Sequence, residues 1–438
     1  MKTAPTDRGE PRGPLLLYAD ARGNILDHPS LEAVGESAGS WARIPPEDWI
    51  PLPEGSELFL LPGRLPVGWN RRSGRFEALT ADPRDGAGPV SAVAVFMAPA
   101  HTSLFTAAMK PLPGAPLLPL FAYTAAGWHR GRFVAAGFRV DPLPRQDLRG
   151  FDFKKIERNA RRRMAQEPGN RLVQHLGRCA LSYGCPAARN LFLGRWEAPL
   201  PTSPVCNAGC LGCISLQEGS GIRPTQERIT FVPTPEEIAG VAVPHLTRAP
   251  GAVVSFGQGC EGEPLLQHET LRRAVSLIRS QTRRGTINLN TNGSLPAAVS
   301  ALAEAGLDSI RVSVNSFIPA YYTRYHAPRG YRMEDALRSL ALMKEAGRFV
   351  SVNYLVFPGV TDDPAECDAL SRFLDRVPVD LIQMRNLNID PRWYLRHIRF
   401  KPAGKPLGIL NLMARLKSRF PHLVFGYFNP CLDPEAVG

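Results

Sequence analysis

Three cysteines pose the first chemical question. Cys206, Cys210 and Cys213 stand in Cys206-Asn207-Ala208-Gly209-Cys210-Leu211-Gly212-Cys213, a C-x3-C-x2-C spacing. Thiols this close on a glycine-containing loop can turn toward one centre, and thiolates select soft sites such as zinc or an iron–sulfur cluster. Structural zinc ordinarily takes four ligands from paired clusters, and no second C-x2-C occurs here. Three thiolates on a [4Fe–4S] cube leave one iron without a protein donor, an open position of the kind a reactive centre needs. On the residues alone both metals stay open.

The remaining cysteines are Cys179, Cys185, Cys260, Cys367 and Cys431. In a long chain whose first residues hold no apolar export segment, a disulfide framework is not expected. Cys179, Cys185 and Cys431 are candidate ligands of an auxiliary cluster; the plainer reading of each is a small buried hydrophobe. Cys260 sits at a strand end where it could face a cavity, and Cys367 in a helical segment reads as structural.

A cysteine loop needs a scaffold that holds it. From about residue 199, short apolar segments alternate with amphipathic ones. AVVSF (252–256), TINLN (286–290), SIRVSV (309–314), VSVNYLVF (350–357) and LIQMRNL (381–387) read as strands. Leu271, Ala274, Val275 and Ile278 fall at helical spacing, as do Ala298, Leu302 and Ala305. Thr234-Pro235-Glu236-Glu237 has the form of a capping box. Gly306 and Gly347 each stand where a helix C-terminus can take the left-handed conformation. Repeated βα units imply a parallel sheet, either a barrel or a doubly wound fold. In a barrel, chemistry collects at the C-terminal strand ends.

In this order the motifs resemble the radical S-adenosylmethionine (SAM) enzymes over about residues 199–400. The cysteine loop resembles that family's cluster loop. Cys260-Glu261-Gly262-Glu263-Pro264 resembles its G-G-E-P motif after the second strand, and Thr291-Asn292-Gly293 follows the third. Arg311-Val312-Ser313-Val314-Asn315 resembles the fourth-strand motif. Asn353 on the fifth strand precedes Phe357-Pro358-Gly359-Val360-Thr361-Asp362, also a familiar arrangement.

The resemblance implies an α/β fold with a partial (β/α)6 TIM-like barrel. It implies a [4Fe–4S] cluster on Cys206, Cys210 and Cys213, with SAM chelating the fourth iron. Glu263 would accept hydrogen bonds from the SAM ammonium, and Gly262 would let the backbone approach the methionine moiety. Ser313 or Asn315 would bond the ribose hydroxyls, with Asn353 a further candidate. The activity implied is reductive cleavage of SAM to a 5′-deoxyadenosyl radical that abstracts hydrogen from a substrate. The family often has an aromatic residue just before the third cysteine. Here it is Gly212, which leaves Ile214 as the candidate adenine contact. Glu261 replaces the first glycine of G-G-E-P; its carboxylate could help bind the cationic sulfonium or, the favoured expectation, point to solvent.

Composition frames the rest. The chain has 438 residues, 44% hydrophobic and 21% charged, ordinary for a folded globular protein and outside disordered or collagen-like classes. The uncharged run Leu112 to Trp128 contains Pro113, Pro116 and Pro119, so no membrane span is expected there. The net charge is +12, with 44 arginines against 8 lysines. The one dense basic cluster is Lys154, Lys155, Arg158, Arg161, Arg162 and Arg163. It reads as a solvated helix face, or as a docking face for RNA or for an acidic flavodoxin- or ferredoxin-type electron donor.

The linear division expected is a disordered tail at 1–14, a β-rich or α+β domain at 15–147 and a basic helical connector at 148–198. The core barrel follows at 199–400, then a helix-and-strand extension at 401–438. Cytoplasmic placement is expected. The rival functional reading is a non-catalytic zinc- or iron–sulfur-binding protein on the same scaffold.

Overall fold

The βα pattern in the second half of the chain folds into one parallel sheet of seven strands. They are β1 (Glu197–Pro199), β2 (Val253–Phe256), β3 (Thr286–Thr291), β4 (Ser309–Val314), β5 (Phe349–Val356), β6 (Leu381–Asn386) and β7 (Val424–Gly426), in that spatial order. The structure, a computed structural model, describes residues 13–433 except 85, 87 and 218. All but the last two residues of the tail expected at 1–14 lie outside the described residues.

The five strands expected from sequence are β2 to β6. The short β1 and the terminal β7 bring these five to seven, one more than the six that the resemblance implies. The helices Pro235–Arg248, His268–Gln281 and Pro296–Ala305 connect successive strands from β1 to β4, as right-handed parallel crossovers require. The capping box at Thr234 forms: its Oγ1 accepts from Glu237 N–H (3.2 Å), and Glu237 Oε2 accepts from Thr234 N–H (2.8 Å). Gly306 closes its helix at φ 110°.

The sheet is buried on both faces, so β2 and β3 have no exposed residue. One face is polar. Asn288 Nδ2 donates to Ser255 Oγ (3.2 Å) and Asn290 Oδ1 (2.8 Å), and Ser309 Oγ donates to Asn288 Oδ1 (2.8 Å). Arg311 on β4 donates to Gln383 Oε1 on β6 (3.0 Å), and Gln383 donates to Asn429 Oδ1 (2.9 Å). Asn429 in turn donates to Glu197 of β1 (2.8 Å). A hydrogen-bonded layer thus joins the first strand to the sixth.

The chain divides into two compact units, each discontinuous in sequence where the reading above divided it linearly. Among the described residues, one comprises 141–355, 368–384 and 416–433; the other comprises 13–140, 356–367 and 385–415. The first also contains three helices, Phe153–Gln166, Arg171–Leu181 and Pro186–Leu193. On Phe153–Gln166, Ile156 and Ala160 are buried while Lys154, Lys155, Arg158, Arg161 and Arg162 face solvent. Arg161 and Arg163 are engaged by Glu157 and Glu167.

The second unit is antiparallel. Leu15–Ala19 pairs with Ile25–Ala33 and Ala126–His129, and Glu57–Leu61 pairs with Ser91–Phe96. Leu17, Val93, Val95, Met97 and Ala135 build one of its cores. Within the apolar segment 120–128 only the end is strand, Ala126–His129; at its start the Pro119 carbonyl accepts Phe121 N–H (2.9 Å).

In this unit Arg64 donates to Asp390 Oδ2 (2.7 Å), with side chains 4% and 2% exposed. Asp390 also accepts Leu118 N–H (3.1 Å) and caps the helix Pro391–Ile398 through Arg392 and Trp393 N–H. Replacing Asp390 by Ala leaves a buried guanidinium without its counter-charge. The expected cost is about 3–5 kcal/mol, read by chemical denaturation; a loss under about 1 kcal/mol would contradict it.

Candidate metal centre

The three cysteines lie on a loop after β1 that is fastened on two sides by backbone hydrogen bonds. On one side, Gly209 N–H donates to His326 O (2.9 Å), Leu211 N–H to Tyr325 O (2.9 Å) and Arg329 N–H to Asn207 O (2.8 Å). Ala208 and Pro328 form a β-bridge. On the other side, Gly262 N–H donates to Ser203 O (2.7 Å) and Glu263 N–H to Val205 O (2.8 Å). A Cβ at Gly262 would lie 2.0 Å from Val205 O. The glycine is therefore required by the cysteine loop's own backbone.

Glu261 corrects an expectation. Its side chain is buried, not turned to solvent. Oε2 accepts the N–H groups of Thr202 (2.7 Å) and Ser203 (3.0 Å), and Oε1 accepts Gln258 N–H (2.7 Å). The carboxylate ties the loop after β1 to the loop after β2. Burial raises its pKa to about 7 against these donors.

Glu263 is buried as well. Oε1 accepts Leu265 N–H (2.9 Å) and the Thr291 hydroxyl, and Oε2 accepts Asn292 N–H (2.8 Å). The Thr291-Asn292-Gly293 segment therefore holds the Glu263 carboxylate. It also reaches the cysteine loop: Asn292 Nδ2 donates to Asn207 Oδ1 (2.8 Å), and Asn207 Nδ2 donates to Ser294 Oγ (3.0 Å). Gly293 supplies a left-handed turn at φ 71°. Burial lifts the Glu263 carboxyl to about 7.

The thiols sit half-buried. Burial pushes Cys206 up to about 11 and Cys210 well above its ordinary value, and neighbouring thiols and Glu263 add to both. Cys210 Sγ lies 3.3 Å from His326 Nδ1; Arg228 Nη2 donates to Cys213 Sγ (3.5 Å). Burial keeps His326 neutral, its pKa lowered to about 3. Three mutually repelling thiolates beside a carboxylate need a cation among them, and a cationic metal group meets that need. Among the described residues these three thiols are not a set within 4.8 Å of one another. A tetrahedral zinc would hold its sulfurs about 3.8 Å apart, closer than at least one pair of these thiols stands.

On β4 and β5, Ser313 and Asn353 are register partners, and Asn353 Nδ2 donates to Ser313 Oγ (3.0 Å). Asn353 Oδ1 is buried without a protein partner. Asn315 is fully buried, with Nδ2 directed to Tyr321 O (3.5 Å). Ile214 packs on Gly259, where a Cβ would meet Ile214 Cδ1 at 2.6 Å.

The candidate auxiliary set is not brought together. Cys431 precedes Leu432, whose N–H donates to Thr286 Oγ1 (2.7 Å) at the start of β3. Cys179 instead meets His175 and Cys260 beyond the end of β2. Cys260 thus faces a helix. Two residues absent from the sequence reading, Arg228 and His326, touch the cysteine sulfurs. No local motif carries them; His175 had one signal, its place four residues before Cys179 on a helix face.

A parallel α/β sheet with a three-thiol loop at its strand ends defines the class. Residues 200–368, somewhat over a third of the chain, match the family described as the Radical SAM superfamily. A GTP 3′,8-cyclase of Streptomyces coelicolor is 35% identical over 129 residues, 27% of this chain and 37% of that protein. GTP 3′,8-cyclase 2 of Mycobacterium bovis is 31% identical over 220 residues, 46% of this chain and 58% of that protein. The chain therefore spans between about a third and three fifths of these curated relatives. A radical SAM methyltransferase structure from Sphaerobacter thermophilus aligns at 18% identity and TM-score 0.37, over 53% of this chain and 66% of that one. No described helix is long and apolar enough to cross a membrane.

Gly262→Ala drives a methyl group into Val205 O. The expected outcome is a folded chain, by far-ultraviolet circular dichroism, whose reconstituted iron content falls by more than half. Full iron loading would show that the loop contact is dispensable.

Proposed function

We propose that this chain is a radical SAM enzyme holding a [4Fe–4S] cluster on Cys206, Cys210 and Cys213. When bound, the cluster and SAM supply a 5′-deoxyadenosyl radical on one-electron reduction, which takes a hydrogen atom from an organic substrate. The observation that carries this reading is the double clamp on the three-cysteine loop, with the oriented Glu263 carboxylate beside it.

Each residue then has a task. Glu263, fixed by three donors, accepts the SAM ammonium in a charge-assisted hydrogen bond. Gly262 contributes by letting the two loops close. Asn353 offers its unpartnered Oδ1 to a ribose hydroxyl while Ser313 orients its amide. Asn315 is a further ribose candidate at the end of β4. Arg228 and His326 modulate the charge on Cys213 and Cys210.

The electron donor in this reading is a flavodoxin- or ferredoxin-type protein. The exposed Lys154, Lys155 and Arg158 present a positive face suited to an acidic partner. Ion pairing of Arg161 and Arg163 lessens the support for RNA on that face.

Cys210→Ala is expected to abolish cluster binding and 5′-deoxyadenosine formation, while Cys431→Ala leaves both intact. Iron analysis and chromatography read the two outcomes. A Cys210→Ala protein with full iron and full SAM cleavage would overturn the proposal, as would wild-type protein that takes up zinc alone.

Glu263 adds a pH dependence. Its pKa stands at about 7, so the carboxylate needed for the ammonium is lost as pH falls through that value. Anaerobic calorimetry should find SAM affinity rising with pH up to about 7 and then levelling, approaching tenfold per pH unit below it. Glu263→Gln should bind more weakly and lose this slope; a wild-type affinity flat across the range would contradict the assignment.

A further inference from the structure

One cluster of soft ligands lies apart from the cysteine loop. On the helix Arg171–Leu181, His175 and Cys179 are four residues apart and share a face. Cys260 approaches from the loop after β2. His175 Nε2 lies 3.4 Å from Cys179 Sγ and 3.4 Å from Cys260 Sγ. The three ligand atoms fall within 4.8 Å of one another, the one such His/Cys/Asp/Glu group among the described residues. Cys179 and Cys260 are 3% and 6% exposed.

A single two-centre hydrogen bond from His175 does not account for this arrangement. Nε2 carries either one proton or one lone pair in the ring plane, yet two sulfurs stand at the same distance from it. A tetrahedral zinc with Zn–N of about 2.0 Å and Zn–S of about 2.3 Å sets N···S edges of about 3.5 Å. Both observed spacings match. Two thiolates balance a divalent cation, so the complex carries no net charge into the interior. A cavity of about 320 Å³ opens beside His175, lined by Tyr183, Glu227, Arg228 and Phe231 among others. It gives an ion a way in and gives a water room as fourth ligand.

We propose that His175, Cys179 and Cys260 form a second metal site, for zinc, separate from the three-cysteine loop. The ion fastens the helix Arg171–Leu181 to the loop that carries Glu261, Gly262 and Glu263. The site stands on its own geometry and does not depend on what the other cysteines bind.

The test uses the full chain, loaded with zinc and cleared of excess by a weak chelator. Zinc content and zinc K-edge X-ray absorption are measured on the wild type and on the Cys206→Ser/Cys210→Ser/Cys213→Ser variant. The expected result for both is one zinc per chain with two sulfur and two nitrogen or oxygen neighbours. Cys179→Ser should lose the zinc and keep its iron. Zinc bound by the loop would show three sulfurs in the wild type and vanish in the triple variant, overturning the proposal. So would no retained zinc, or a Cys179–Cys260 disulfide found in the mass of the denatured, unreduced chain.

Discussion

The buried carboxylate of Glu261 is the constraint on which the site depends. It gathers N–H groups from Thr202, Ser203 and Gln258, and so fixes the exit of β1 against the exit of β2. With that junction set, Gly262 and Glu263 pair with Ser203 and Val205. Three successive residues thereby do three jobs: one ties the loops, one leaves room for the tie, and one presents a carboxylate. The cysteine loop owes its placement to this contact and to the strap 325–329, since it has no regular secondary structure of its own.

Behind the site, the sheet interior trades apolar packing for a connected polar layer. Ser255, Asn288 and Ser309 link neighbouring strands, Arg311 and Gln383 link β4 to β6 across the strand between them, and Asn429 extends the chain of bonds. Such a layer fixes strand register through hydrogen-bond geometry, and removing one member leaves a buried group unsatisfied. In the other unit the comparable anchor is Arg64–Asp390, which fastens the segment after β6 to antiparallel strands far away in sequence. The Phe357–Asp362 motif belongs to that unit too: Ala38 N–H donates to Pro358 O (3.0 Å), and Thr361 Oγ1 accepts Phe357 N–H (2.8 Å). Its residues thus serve local structure.

What could be read from sequence is what local chemistry encodes. The C-x3-C-x2-C loop, the capping box at Thr234, the turn glycines and strands β2 to β6 each carry their signal within a few residues. Glu263 and Thr291 were legible as motif members, although their mutual hydrogen bond was not. Glu261 misled because a carboxylate in a loop ordinarily faces water; its three donors come from two loops, about sixty residues apart. His326 and Arg228 reach the sulfurs through tertiary contacts with no local pattern. The strands Ile25–Ala33 and Arg64–Asn70 escaped for a similar reason: Pro29, Pro66 and Gly68 interrupt their alternation, and distant partners stabilise them.

The measurement that bears most directly on the central claim is low-temperature electron paramagnetic resonance of the anaerobically reconstituted, reduced chain, with and without SAM. The account predicts a [4Fe–4S]+ signal that changes when SAM is added, because the fourth iron is open to it. A cluster signal indifferent to SAM, or no cluster signal after competent reconstitution, would contradict the account.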